Sequence, residues 1–196
     1  MENLQTFDLV IFLALLAMFV VGYAQGIVRR LLGIAAIIFS LVLASQLRQP
    51  LGEYLTHEWT TISPNYSYMV AFGAVFVAAA VTISIGIQLS YRPAPLFPRY
   101  PVLDELLGGV LGVLEGLLIL VVIFLILDPY YTLPDVRDTV GVGEFRMLRS
   151  VHELLDNTLT ASIMRNNIIP VVLGLVGFIF PEDIRGTFAR ALLARP

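Results

Sequence analysis

Residues 104–128 read DELLGGVLGVLEGLLILVVIFLILD, in which the apolar run 106–127 carries glycines at a fixed spacing and a single acid, Glu115. Residues 106–127 would form a helix of about 33 Å at 1.5 Å per residue, which matches a hydrocarbon core of about 30 Å. Gly108, Gly112 and Gly116 recur every fourth position, so they share one helix face and let a second backbone approach closely. Glu115 flanks that face. A carboxylate at such depth costs several kcal/mol (~3) unless it is paired or protonated. Helix packing within the chain is one reading of the glycine face and dimerisation is the other.

The rest of the chain agrees with a membrane reading. Of all residues 58% are hydrophobic and only 14% charged, and the mean hydropathy is +0.85, outside the range of soluble globular proteins. Every basic residue is arginine, the net charge is −3 and no basic run occurs, so nucleic acid is excluded as a partner. The absence of cysteine removes disulfides, thiolate metal sites and a cysteine nucleophile.

Four apolar segments follow along the chain. The first runs over residues 9–28 and stops at Arg29 and Arg30; the second runs over 31–47 and stops at Arg48. So little sequence separates them that the chain must turn within residues 22–30, where Gly22 and Gly26 supply backbone freedom, giving a tight helical hairpin. A polar stretch, 49–68, with Pro50 and Pro64, reads as a connection, and residues 69–89 form the third segment. The linker 90–101 holds Pro93, Pro95, Pro98 and Pro101, which keep it extended before the fourth segment. The first segment lacks the basic start and small-residue cleavage site of a signal peptide and reads as retained.

Arginine placement gives the orientation. Arg29, Arg30, Arg92 and Arg99 follow segments one and three and anchor those loops in the cytoplasm, so both termini face the outer side. The membrane lipid is thus one partner. Asp104 reads as a cap that favours the positive end of the fourth helix, or as a contact for a partner.

After Asp128 the sequence DPYYTLPD reads as a surface turn. Apolar residues at 145, 148, 151, 155, 159 and 163 then describe an amphipathic interfacial helix, on whose solvated face lie His152 and Glu153. Residues 168–180 are apolar but too short to span, and Pro170, Gly174 and Gly177 interrupt them, so a docked or re-entrant element is expected. A short helix is expected from Pro181. The fold class is therefore all-α: a polytopic membrane protein with four transmembrane helices in residues 1–128 and an amphipathic helical tail in residues 129–196.

Phe7-Asp8, Gly26-Ile27-Val28-Arg29-Arg30, Leu103-Asp104 and Leu107-Gly108 through Gly116 together resemble the colicin V production (CvpA) family over about residues 5 to 128. Ala161-Ser162-Ile163 through Pro170 to Phe180-Pro181-Glu182 is similar to the tail of its longer members. The resemblance implies a bacterial inner-membrane protein with four helices, required for toxin production and secretion and associated with envelope homeostasis. In some relatives a periplasmic serine protease domain follows this membrane part, which implies an outer C-terminus. The likeness departs at Glu115, near which the family pattern carries a basic residue.

No enzyme motif stands out. His57 and His152 lie outside any metal-binding spacing, Gly141-Val142-Gly143 is a loop, and neither GxSxG nor a phosphate loop occurs, so neither catalysis nor a cofactor is expected. Glu115 has two readings: a proton or cation site, or a protonated acid hydrogen-bonded to Ser40, Thr82, Ser84 or Gln88. Three functions follow: a non-enzymatic scaffold or accessory protein, alone or in a homo-oligomer or membrane-protein complex; a small channel or transporter subunit using Glu115; or a membrane regulator of a separate hydrolase.

Overall fold

The computed structural model describes residues 6–60, 62–90, 96–97, 99–131, 146–156 and 158–177. Among them there is no strand. Three long helices dominate: α1 (Thr6–Glu58), α2 (Pro64–Ser90) and α3 (Pro101–Tyr131). Each is long and apolar enough to cross a membrane. The shorter α4 (Arg146–Asp156), α5 (Leu159–Ile163), a π-helical turn (Met164–Ile168) and α6 (Ile169–Val176) follow.

Helix α1 is broken at Gly26, whose φ of 74° and ψ of 176° leave the helical region. Residue types with a Cβ meet a penalty of about 1–2 kcal/mol in left-handed conformations, so glycine is what allows the break. Its two arms, residues 6–25 and 27–58, both lie along α3. Leu15 in the first arm sits against Gly116, and Gly33 in the second sits against Glu115, so positions on either side of Gly26 come level on α3. The chain therefore doubles back at Gly26, inside the interval that its glycines and arginines mark out.

The first arm and α3 run antiparallel and touch backbone to backbone. A Cβ added to Gly108 would lie 2.8 Å from the Gly26 Cα, and one added to Gly112 would lie 3.2 Å from the Gly22 Cα. Phe19 fills the space beside Gly109. In lipid the hydrophobic effect does not draw helices together, so such van der Waals contact between small residues is what holds the seam. Helix α3 is the central element, with 39% of its apolar window buried against 17% for α1 and for α2. Helix α2 packs antiparallel on the second arm, with Tyr68 over Gly52 at one end and Leu32 near Ile83 and Ile87 at the other. Outward-facing Phe12, Val20, Phe39, Val77, Leu89 and Val110 form an apolar exterior suited to hydrocarbon.

Three sequence expectations are corrected. Helix α1 continues through Pro50 to Glu58 where a polar connection was expected. The proline forfeits a bond only to the exposed Gln46 carbonyl, which water or headgroups can satisfy. Pro64 opens α2, a position where its missing N–H costs nothing. The expected turn at Asp128 is instead the last turn of α3, and Pro129 continues to Tyr131 inside it. Arg92, Pro93, Pro95, Pro98, the end of the DPYYTLPD segment, the Gly141–Gly143 loop and the helix expected from Pro181 lie outside the described residues.

Candidate functional site

Polar side chains are buried at three levels of this apolar bundle. At the Gly26 turn, Asp104 is buried in the first turn of α3 and its Oδ1 accepts a hydrogen bond of 3.0 Å from the Leu96 backbone N–H. Its other oxygen faces Gly26, where any added Cβ would collide with it. Asp104 thus ties the incoming linker to the helix start and fills the space that the turn leaves open. Gly22, Gly26, Gly108 and Gly112 converge directly above it, and Gly116 continues the seam against Leu15 and Met18.

Glu115 lies about 16 Å farther along α3 at 1.5 Å per residue. Its partner is Arg30, whose Nη1 donates to Glu115 Oε2 in a short ion pair. The side chains are 7% and 15% exposed, so this charge pair is shielded from solvent by protein. Gly33 makes room for it: a Cβ there would lie 2.5 Å from Glu115 Oε1 and 3.0 Å from its Cδ. The Arg30 Nε is buried with no hydrogen-bond partner among the described residues. Of the four partners expected from sequence, Ser40 and Thr82 donate instead to carbonyls of their own helices, at Ala36 and Ala78. Ser84 and Gln88 line a polar cleft of about 190 Å³ together with Gln25, Arg29, Arg30 and Glu115. Arg30, read as a surface anchor, is therefore a buried counter-charge. Arg29 stays half-buried at the cleft, and Arg99 lies in the linker leading to α3.

At the opposite end a second ionic cluster joins the tail to the bundle. Arg165, in the π-helical turn, donates from Nε and Nη2 to both oxygens of Asp128 at 2.8 and 2.7 Å. Its Nη1 donates to Asp156 at 2.7 Å, and its guanidinium lies 4.8 Å from the Phe124 ring centre. The fork geometry of arginine suits this bidentate pairing. His152 Nε2 lies 3.3 Å from Asp128 Oδ1, and the imidazole lies 4.9 Å from the Tyr131 ring centre, tilted 31° to its plane. His152 is thus buried, which corrects its reading as part of a solvated face: α4 turns that edge inward, onto the end of α3. Asp8, near the start of α1, accepts hydrogen bonds from the Leu159 and Thr160 backbone N–H groups and from the Thr160 hydroxyl at 2.6 Å. It supplies α5 with acceptors for donors that a helix start leaves unsatisfied, while Thr158 caps the same start from within. The amphipathic stretch is therefore two helices divided at Thr158.

Sequence reading did not reach Gly33, Arg165 or Asp8 as members of these clusters. An arginine inside the apolar run 159–175 was the available signal for Arg165, since such a charge needs a partner. Among the described residues no group of three histidine, aspartate or glutamate side chains has the arrangement of a metal site.

The family model described as colicin V production protein matches residues 7–140. The chain belongs to the colicin V production family. No curated protein and no solved structure matches it. The family match takes in Asp8, the Gly26 turn, Arg30, Asp104, Glu115 and Asp128. Arg165 and His152, which complete the second cluster in this family member, lie beyond the matched residues.

Proposed function

We propose that this colicin V production family member is a non-enzymatic membrane scaffold or accessory protein, acting in toxin production and secretion and in envelope homeostasis. On this reading it crosses the bacterial inner membrane four times, the arms of α1 counting as two crossings. Both termini face outward, and Arg29, Arg92 and Arg99 mark the cytoplasmic end. Gly22, Gly26, Gly108, Gly112 and Gly116 serve helix packing, and Asp104 secures the first turn.

The observation that carries this reading is the fastening of the tail. Arg165 on Asp128 and Asp156, with Asp8 on Thr160, holds α4, α5 and α6 against one end of the bundle as a fixed platform. A surface held in place before binding loses less entropy when a partner docks, which suits assembly. Extraction in a gentle detergent should yield envelope proteins together with the full chain, and Arg165→Gln should release them. Recovery of the chain alone, together with an unchanged envelope phenotype on deletion of residues 137–196, would overturn the proposal.

The cleft that reaches Glu115 favours a second reading, a channel or transporter subunit that uses this acid. Proteoliposome flux that is lost in Glu115→Gln supports it; no flux, or flux indifferent to the change, removes it.

A further inference from the structure

The polar cleft at the Gly26 end is not isolated. Ile87 lines both the cleft and a neighbouring apolar groove of about 460 Å³, whose other walls are Leu32, Ile83, Gly86 and Ser90. The groove is open beside Gly86, where an added Cβ would meet nothing within 4 Å. A charged compartment thus continues into a hydrocarbon-lined one on the outer surface of α1 and α2.

The charge balance of the cleft is uneven. Arg30 is neutralised by Glu115, yet its Nε remains buried without an acceptor. Arg29 contributes a further positive charge and makes no ion pair among the described residues. One positive charge, that of Arg29, is therefore left over in the cleft, beside the Arg30 guanidinium that also lines it. A phosphate diester carries one negative charge and offers two acceptor oxygens, and guanidinium groups bind such oxygens through directed, charge-assisted hydrogen bonds. Basic pockets between membrane helices recognise anionic headgroups by this chemistry.

We propose that the cleft and the groove together bind one anionic phospholipid, its phosphodiester at Arg29 and Arg30 and an acyl chain along Leu32, Ile83 and Gly86. The ion pair with Glu115 orients Arg30 and keeps the site from attracting a second anion. The site is independent of the scaffold reading, since it faces lipid at the end opposite the tail.

The test is native mass spectrometry of the full-length protein after incubation with equal amounts of dioleoylphosphatidylglycerol and dioleoylphosphatidylcholine. One phosphatidylglycerol should be retained in preference. Arg29→Gln should lower its retention about fivefold, the value of one arginine near an anionic headgroup. Gly86→Leu, which fills the groove and touches no charge, should lower it as well, whereas Arg99→Gln, outside the cleft, should not. Circular dichroism establishes that each variant is folded. Equal retention of both lipids, wild-type retention in Arg29→Gln and Gly86→Leu, or an equal loss in Arg99→Gln would overturn the proposal. Displacement of the lipid by millimolar inorganic phosphate would also overturn it, because the site would then recognise a free anion.

Discussion

A guanidinium and a carboxylate held away from water are each expensive alone, and together they come close to cancelling. Arg30 and Glu115 are such a pair, and Gly33 leaves the space in which they meet. Arg30→Met should therefore destabilise the protein by about 3–5 kcal/mol, because it leaves Glu115 buried without its counter-charge. The double variant Arg30→Met/Glu115→Leu should recover most of that loss. Thermal unfolding in detergent, followed by circular dichroism, reads both. A single variant as stable as the wild type would contradict the buried pairing, as would a double variant that recovers nothing. The need of Glu115 for a partner could be read from its place in an apolar run. The partner could not, because 85 positions separate the two residues and a pairing across helices leaves no periodic trace. Arg30 next to Arg29 looks like the end of a span, and only the reversal at Gly26 turns it toward α3.

At the level of the elements, the seam between α1 and α3 rests on absent side chains. Gly108→Leu should push the helices apart and cost at least about 1–3 kcal/mol, the usual penalty of overpacking, since backbone atoms of Gly22 and Gly26 occupy the space. Gly86→Ala, where the space is open, should instead be neutral or stabilising by up to about 1 kcal/mol through helix propensity. Size-exclusion profiles and thermal midpoints of the two variants distinguish a packing seam from generic helical glycines, and equal effects would remove the distinction. The four-residue glycine spacing made this face readable, as the shortness of residues 22–30 did for the turn. Prolines misled in the other direction. Pro50 and Pro129 look like breaks, yet the helices run through both: Pro50 deprives only the exposed Gln46 of a partner, and Pro129 falls in the last turn of α3.

Over the whole molecule, the reversal at Gly26 and the antiparallel α2 and α3 sort the chain into two ends. Gly26, Leu96 and Asp104 lie at one; Asp8, Glu58, Asp128 and the tail helices lie at the other. Cysteines introduced singly at Glu58 and Met147, both exposed, should react with a membrane-impermeant thiol reagent from the same side, and a cysteine at Leu96 from the opposite side. The native chain has no cysteine to confuse the readout. Equal reactivity at all three positions would contradict the two-ended arrangement. The composition and run lengths made the long apolar helices readable. The attachment of the tail was not readable, because Asp128 and Arg165 each resemble an ordinary interfacial charge until the fold brings them together.

The separation of Arg30 from Glu115 also has a consequence in time. A ribosome adding about 5–20 residues per second needs roughly 4–17 s to make the chain between them. During that interval the second arm of α1 carries an arginine whose counter-ion has not yet been synthesised. The hairpin must wait beside the insertion machinery, or at the headgroup layer, until α3 emerges. The first half of this protein thus enters the bilayer on the schedule of its third helix.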